Sequence, residues 1–297
     1  MRILYLYNKE GWALHNVGIL WFSKLPDGYQ VDMLNYHQIT DSEELFSGYD
    51  YVWFSYLYMY MKFNYDINKS IVSIHDPMEL FPQVPNWMNC DFIHENLISL
   101  RKLRFISTIS TELHDILEKN FINSTLMSTT SLLSPKDTKE LSPSKIRIIS
   151  IANKYPRKNL DLMYEIRDYC NKIGIVFFIK LGDEVLPETA YVDLIDDYTI
   201  YICTSFQEGG PIPAMDAMQR GLAVLTTPVG QMNELIEQGI NGFICRDKKE
   251  FIEKIQFLKD NDDILLEMRK NSLENIKFKR DIKTIRRQAL SFLETLK

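Results

Sequence analysis

Short apolar runs of strand length alternate along this chain with stretches whose apolar positions return every three or four residues, the period of a helix with one buried face. Ile3 to Tyr7 reads as a strand and Trp12 to Leu25 as the helix after it. Val31 to Leu34, Tyr51 to Ser55, Ile71 to Ile74 and Phe105 to Thr108 read as further strands, the last leading into a helix over Thr111 to Asn120. Strands separated by helices build parallel sheets, because a parallel neighbour is reached only by a crossover. From Ser134 to Pro143 the apolar content gives way to Pro, Ser and charge, the composition of a linker.

A second alternation follows. Ile146 to Ile151 predicts a strand, Leu160 to Lys172 a helix, Val176 to Leu181 a strand, Thr199 to Cys203 a strand buried on both faces, and Ala223 to Thr226 another. A helix is expected after Pro211. Asp247 and Glu250 have capping-box spacing and open a helix to about Lys259, and the charged remainder from Asp263 to Lys297 reads as helical. The expectation is an α/β protein of two parallel-sheet domains, about 1–135 and about 140–280. Open sheets of this kind bind ligands beyond the carboxyl ends of their strands, so function is expected on the loops there, facing a central cleft.

Composition narrows the ligand. A chain of 297 residues, 45% hydrophobic, can bury two cores, and a net charge of −6 argues against a nucleic-acid footprint. Cys90, Cys170, Cys203 and Cys245 form no Cys-x-x-Cys pair and read as reduced thiols rather than a zinc site or disulfide framework. Met1 to Asn8 is too short for a signal-peptide core, and the longest apolar stretch, Tyr51 to Met61, falls below the roughly 20 residues that span a bilayer. A cytoplasmic protein is expected, with Arg101-Lys102-Leu103-Arg104 as the one cluster suited to touching the inner face of an anionic membrane. No Gly-x-Gly-x-x-Gly and no P-loop is present, no bound cofactor is implied, and the Asp260-Asn261-Asp262 triplet reads as a polar turn rather than a metal site. Oligomeric state is left open.

The most informative segment runs from Thr204 to Gly221. Gly209 and Gly210 let a backbone approach a ligand closely, and Pro211 or Pro213 suits the first turn of a helix, whose N-terminus attracts a diphosphate. Gly221 sits where a helix ends. Glu208 and Asp216 bracket the turn, and carboxylates can accept two hydrogen bonds from sugar hydroxyls.

This segment resembles the donor-binding signature of the family 4 glycosyltransferases, the retaining enzymes of the GT-B fold among the glycosyl transferases group 1. The resemblance rests on Ser205-Phe206-Gln207-Glu208-Gly209, on Asp216-Ala217-Met218-Gln219-Arg220-Gly221, and on the run Leu222 to Gly230 with Glu234-Leu235-Ile236 and Asn241-Gly242-Phe243-Ile244. It implies two Rossmann-like domains facing a central cleft, an acceptor domain first and a donor domain second, with a terminal helix at about 281–297 packing back on the first. It implies a nucleotide-diphosphate sugar as co-substrate, a glycan or lipid-linked acceptor, and metal-independent transfer of the kind used in polysaccharide biosynthesis.

By the same resemblance Glu208 contacts the donor sugar, the Gly209 and Gly210 amides with Ser205 and Pro211 shape the sugar and diphosphate pocket, and Asp216, where the family has Glu, holds the ribose. Lys158 matches the family's diphosphate Lys. Asn153 stands where the family has Arg, so Arg157 or Lys154 would supply the second cation. Gly11, in the loop after the first strand, faces the donor, and His75 stands where the family places a His near the transferred sugar. The stretch between Leu181 and Thr199 is shorter than the family's, which implies a trimmed βα unit. The aromatic run Tyr56, Tyr58, Tyr60 could stack on acceptor rings or simply be buried. A nucleotide-sugar epimerase and a non-catalytic sugar-nucleotide-binding subunit remain the alternatives.

Overall fold

The computed structural model describes residues 1–81, 95–142, 144–182 and 184–297. Cys90 and Pro143 lie outside these. The chain divides into two compact units, one formed by Met1–Thr129 with Ile282–Lys297, the other by Thr130–Asp281.

In order along the chain, the first unit holds β1 (Arg2–Tyr7), α1 (Ala13–Phe22), β2 (Gln30–Asn35), α2 (Ser42–Ser47), β3 (Tyr51–Phe54), α3 (Leu57–Phe63), β4 (Ser70–Ile74), α4 (Glu95–Leu100), β5 (Phe105–Thr108), α5 (Thr111–Lys119) and β6 (Thr125–Leu126). The second holds β7 (Arg147–Ala152), α6 (Leu160–Lys172), β8 (Val176–Leu181), α7 (Glu188–Asp196), β9 (Ile200–Cys203), α8 (Ile212–Gln219), β10 (Ala223–Thr226), α9 (Met232–Leu235), β11 (Gly242–Ile244), α10 (Lys248–Lys259) and α11 (Asp262–Lys279). The last helix, α12 (Ile282–Glu294), belongs to the first unit.

Both sheets are parallel throughout and share one topology. The first runs β2-β1-β3-β4-β5-β6, and the second, read from its other edge, β8-β7-β9-β10-β11. In each, the second strand lies on one side of the first and the third on the other. Crossovers therefore leave in opposite directions between β1 and β3 and between β7 and β9, which opens a crevice at the carboxyl ends of those strands.

The first core is aromatic. Tyr5, Phe22 and Trp53 meet edge to face at 5.2–6.1 Å, and Phe292 of α12 closes on Trp53 at 5.1 Å. Burial of Ile285, Ala289, Phe292 and Leu293 anchors α12, and Tyr51 donates to the Leu296 carbonyl at 2.7 Å. Rings of this size contribute stability mainly through the area they bury. The second core packs the buried β7, β9 and β10 against α6, α10 and α11 on one side and α7 and α8 on the other.

Local features refine the pattern reading. In the aromatic run, Tyr56 caps α3, Tyr58 is 60% exposed and Tyr60 lies in the core. The stretch from Leu181 to Thr199 holds α7, which completes the crossover from β8 to β9. The Pro- and Ser-rich stretch from Ser134 is no free tether. Arg220 donates to the Ser134 carbonyl at 2.8 Å, Lys136 pairs with Asp196 at 3.0 Å, and Leu141 lies buried against Gly221. The charged C-terminal stretch breaks at Arg280 and Asp281, where α11 ends and the chain returns to the first unit. Among the described residues no helix is long and apolar enough to cross a membrane.

Candidate donor site

The second unit gathers its candidate residues on the loops after β7, β9 and β10. After β7 a 3-10 turn over Pro156–Lys158 ends at Asn159, whose φ of +50° turns the chain into α6. After β9, Thr204 donates to the Lys158 carbonyl at 3.0 Å, and the Phe206 amide donates to the Arg157 carbonyl at 2.7 Å. The two loops flanking the switch point are thereby stitched together, though Lys158 and Glu208 are fifty positions apart in sequence.

Glu208 is the centre of this junction. Its carboxylate is 6% exposed and accepts from Lys158 Nζ, from Arg157 Nη1 at 2.5 Å and from Ser205 Oγ at 2.7 Å. Burial alone would push its pKa up, but the charges of Lys158 and Arg157 outweigh that and hold it at about 2. Arg157 also donates to the Gln207 carbonyl at 3.1 Å. Asn153, by contrast, carries no charge to the site and accepts from the Tyr155 amide at 3.4 Å, while Lys154 is exposed. Arg157 is thus the second cation beside the carboxylate.

Gly209 and Gly210 follow, and Pro211 caps α8. Pro213 has no N–H, and the Ala214 amide turns back to the Pro211 carbonyl at 2.9 Å. With Pro213 lacking an N–H and Ala214 turned back, the helix offers an anion less than a full N-terminus. The loop is held from beneath. Gln231 donates its amide to the Gly209 carbonyl at 2.9 Å, and Gly230, at φ +43°, lies so close that a Cβ would stand 2.2 Å from that oxygen and 2.4 Å from the Glu208 carbonyl. Only glycine fits there.

Asp216 is the fifth residue of α8, beyond the first turn, so the helix dipole is not what places it. It is buried and accepts from the Tyr191 hydroxyl of α7 at 2.9 Å and from Ser131. Burial raises its pKa to about 6 despite those two bonds. Gly221 ends α8 at φ +73°: its amide donates to the Met218 carbonyl at 3.0 Å and that of Leu222 to Ala217 at 2.9 Å.

The remaining candidates lie in the first unit. Gly11, at φ +74°, donates to His15 Nδ1 at 3.1 Å in the loop after β1. His75 follows β4 and is buried beside Trp21, its ring 5.9 Å away, and burial lowers its pKa to about 3. Its backbone is fixed by Glu79, whose buried carboxylate receives the amides of His75 at 2.5 Å, Asp76 at 3.0 Å and Leu57 at 2.7 Å. Sequence reasoning passed over Glu79, Tyr191, Ser131 and Gln231, and quoted Gly230 without a role. The Asp76 to Glu79 spacing is a capping box and could have flagged the first. Nothing local marks Tyr191 or Ser131, which meet Asp216 only through packing.

Two parallel sheets with this strand order, each open at its switch point, define the GT-B fold. Sucrose-phosphate synthase from Thermosynechococcus elongatus is similar with a TM-score of 0.73 and 12% identity, over 100% of this chain and 99% of that one. HepE from Anabaena, solved with UDP and glucose, is similar at 0.71 and 13% identity, over 99% of each chain. TarM from S. aureus, solved with UDP and alpha-GlcNAc-glycerol among its ligands, is similar at 0.65 and 16% identity over 81% of this chain, which spans 55% of its length. Residues 184–277 match the family Glycosyl transferases group 1, a stretch that contains Glu208, Asp216 and Gly230 and begins after Lys158. No curated protein matches the sequence.

Proposed function

We propose that the chain is a retaining glycosyltransferase that moves a sugar from a nucleotide-diphosphate sugar to a hydroxyl of a glycan, glycolipid or similar acceptor. The observation that carries this reading is the buried Glu208 carboxylate clamped by Lys158, Arg157 and Ser205 at the switch point of the second sheet. Two cations converge beside a glycine pair, an arrangement suited to a diphosphate, and an ionised carboxylate between them is suited to sugar hydroxyls. The UDP in the HepE and TarM structures and the glucose in the former make UDP-glucose the first donor to test.

On this reading Lys158 and Arg157 hold the diphosphate and stabilise its charge as the bond to the sugar breaks. Glu208 orients the sugar, the Gly209 and Gly210 amides approach it closely, and Asp216 receives the ribose hydroxyls. The acceptor hydroxyl needs a base. Glu208, near 2, and His75, near 3, both hold a proton too weakly to serve at neutral pH. By the resemblance to the retaining family, an oxygen of the departing diphosphate takes the acceptor proton on the face that it leaves. An α-linked donor then gives an α-linked product. Anomeric coupling constants of the product measured by NMR test this, and a β-linked product would move the search to an acceptor-side base. Because the side chains supply the positive charge, turnover is expected to continue in EDTA; activity restored only by Mg²⁺ would assign that task to a metal instead.

A further inference from the structure

The turn that ends α5 is built against the stability of the fold. The Phe121 amide donates to the Glu118 carbonyl and that of Ile122 to the Leu117 carbonyl, both at 2.9 Å. This paired closure places the residue after the cap in the left-handed region, and α8 uses the same closure with Gly221 there. At the end of α5 the position is held by Phe121, at φ +58°. Its ring is 90% exposed. A left-handed aromatic residue is strained, and an exposed ring gains nothing from burial, so the fold itself would favour glycine at this site.

The surroundings give the ring a partner chemistry. Arg101 Nε donates to the Asn120 carbonyl at 3.2 Å, which brings the turn after α4 against the turn after α5. Arg101, Lys102 and Arg104 are exposed in the first turn and Lys119 beside the second, with Ile98 of α4 47% exposed one helical turn before Lys102. The Arg104 guanidinium rests 5.0 Å over the Phe105 ring. Two exposed acids adjoin them on α5, Asp115 one turn before Lys119 and Glu118, which lies 3.5 Å from His114. Four cations thus lie on the two turns that carry one outward ring, on a chain whose net charge is −6. The patch sits at the amino ends of β5 and β6, the edge of the sheet opposite the loops that carry Gly11 and His75.

We propose that this patch docks on an anionic lipid bilayer, with Phe121 entering the boundary between headgroups and acyl chains and Arg101, Lys102, Arg104 and Lys119 lying among the anionic headgroups. A single ring among dispersed, flexible cations lacks the broad apolar face that a protein interface buries. A fluid charged surface needs no shape complementarity and rewards both features.

Co-sedimentation of the full chain with vesicles tests the proposal. Binding is expected to phosphatidylcholine vesicles containing phosphatidylglycerol and not to phosphatidylcholine alone, and to weaken at high salt. Replacing Arg101, Lys102 or Arg104 by Gln is expected to reduce affinity about fivefold each. Phe121→Gly is expected to raise the thermal midpoint while lowering vesicle affinity about tenfold, a combination that loss of folding cannot produce. Equal binding to neutral and anionic vesicles, no binding to either, or full binding by Phe121→Gly and the Gln variants would overturn it.

Discussion

Asp216→Asn is expected to make the protein more stable and its nucleotide binding weaker, and the size of the first effect follows from the site. The carboxyl ionises near 3.8 in an unfolded chain and near 6 in the folded one, where burial outweighs the bonds from Tyr191 and Ser131. A raised carboxyl pKa costs the folded state nothing below 3.8, and the cost grows as pH rises through 6 and is complete above it. The shift of about 2 units, at about 1.4 kcal/mol per unit, amounts to about 3 kcal/mol at pH 8. Asparagine keeps an oxygen for the Tyr191 hydroxyl and can donate to Ser131, so it removes the charge without leaving the hydroxyls unpaired. Urea unfolding of the two proteins at pH 4 and pH 8 isolates the effect, since the curves should nearly coincide at the lower pH and separate at the higher, with the thermal midpoint up by about 5–10 °C there. A variant no more stable than the parent at pH 8, or one equally stabilised at both pH values, would show that burial of this carboxylate is not what the fold bears. Calorimetry with UDP completes the experiment, because a neutral amide receives ribose hydroxyls less strongly than a carboxylate.

Glu208→Gln is expected to lower turnover more than donor affinity and to cost about 3 kcal/mol of stability at pH 7. The depressed pKa contributes stability above 4.5 that is lost as pH falls toward 2, so the gap from the parent should close in acid unfolding. Lys158→Ala should weaken UDP and UDP-sugar together by about 10- to 100-fold in calorimetry, the worth of a charge-assisted bond; unchanged UDP affinity would remove the residue from the diphosphate site. The Arg157→Ala, Lys158→Ala double variant should depart from additivity because both cations share the Glu208 carboxylate. Gly230→Ala should lower the thermal midpoint and UDP affinity together, since its methyl displaces the Glu208 and Gly209 carbonyls.

Much of the fold can be read from periodicity because its strands are short apolar runs, the central ones buried on both faces. Leu160–Lys172, Val176–Leu181 and Ala223–Thr226 form the elements their patterns predict, residue for residue. The reading fails where a side chain answers to a distant neighbour rather than to its own period. The aromatic run leaves ring contact and burial both open, and α3 turns Tyr58 outward and Tyr60 inward. The polar composition after Ser134 suggests a tether, yet Arg220, Asp196 and Gly221 supply partners from α7 and the end of α8. Composition reports what a segment could leave in water, not what packs on it.

The site shows the same division more sharply. Glu208 and its glycines lie in one contiguous segment and can be singled out by chemistry and spacing. Of the cations that set its ionisation, Lys158 is marked by the resemblance alone, and between Lys154 and Arg157 local sequence does not say which turns toward β9. Topology makes the choice. With β8 on one side of β7 and β9 on the other, the loop after β7 crosses the switch point, and the amide of Phe206 and hydroxyl of Thr204 fasten it by the carbonyls of Arg157 and Lys158. Those two residues are thereby oriented by their backbones, which leaves their side chains in reach of Glu208 while Lys154 stays in water. Arg157, and not a residue at position 153, therefore stands beside Glu208, because the β9 loop grips the backbone of the turn and not the residue types upstream of it.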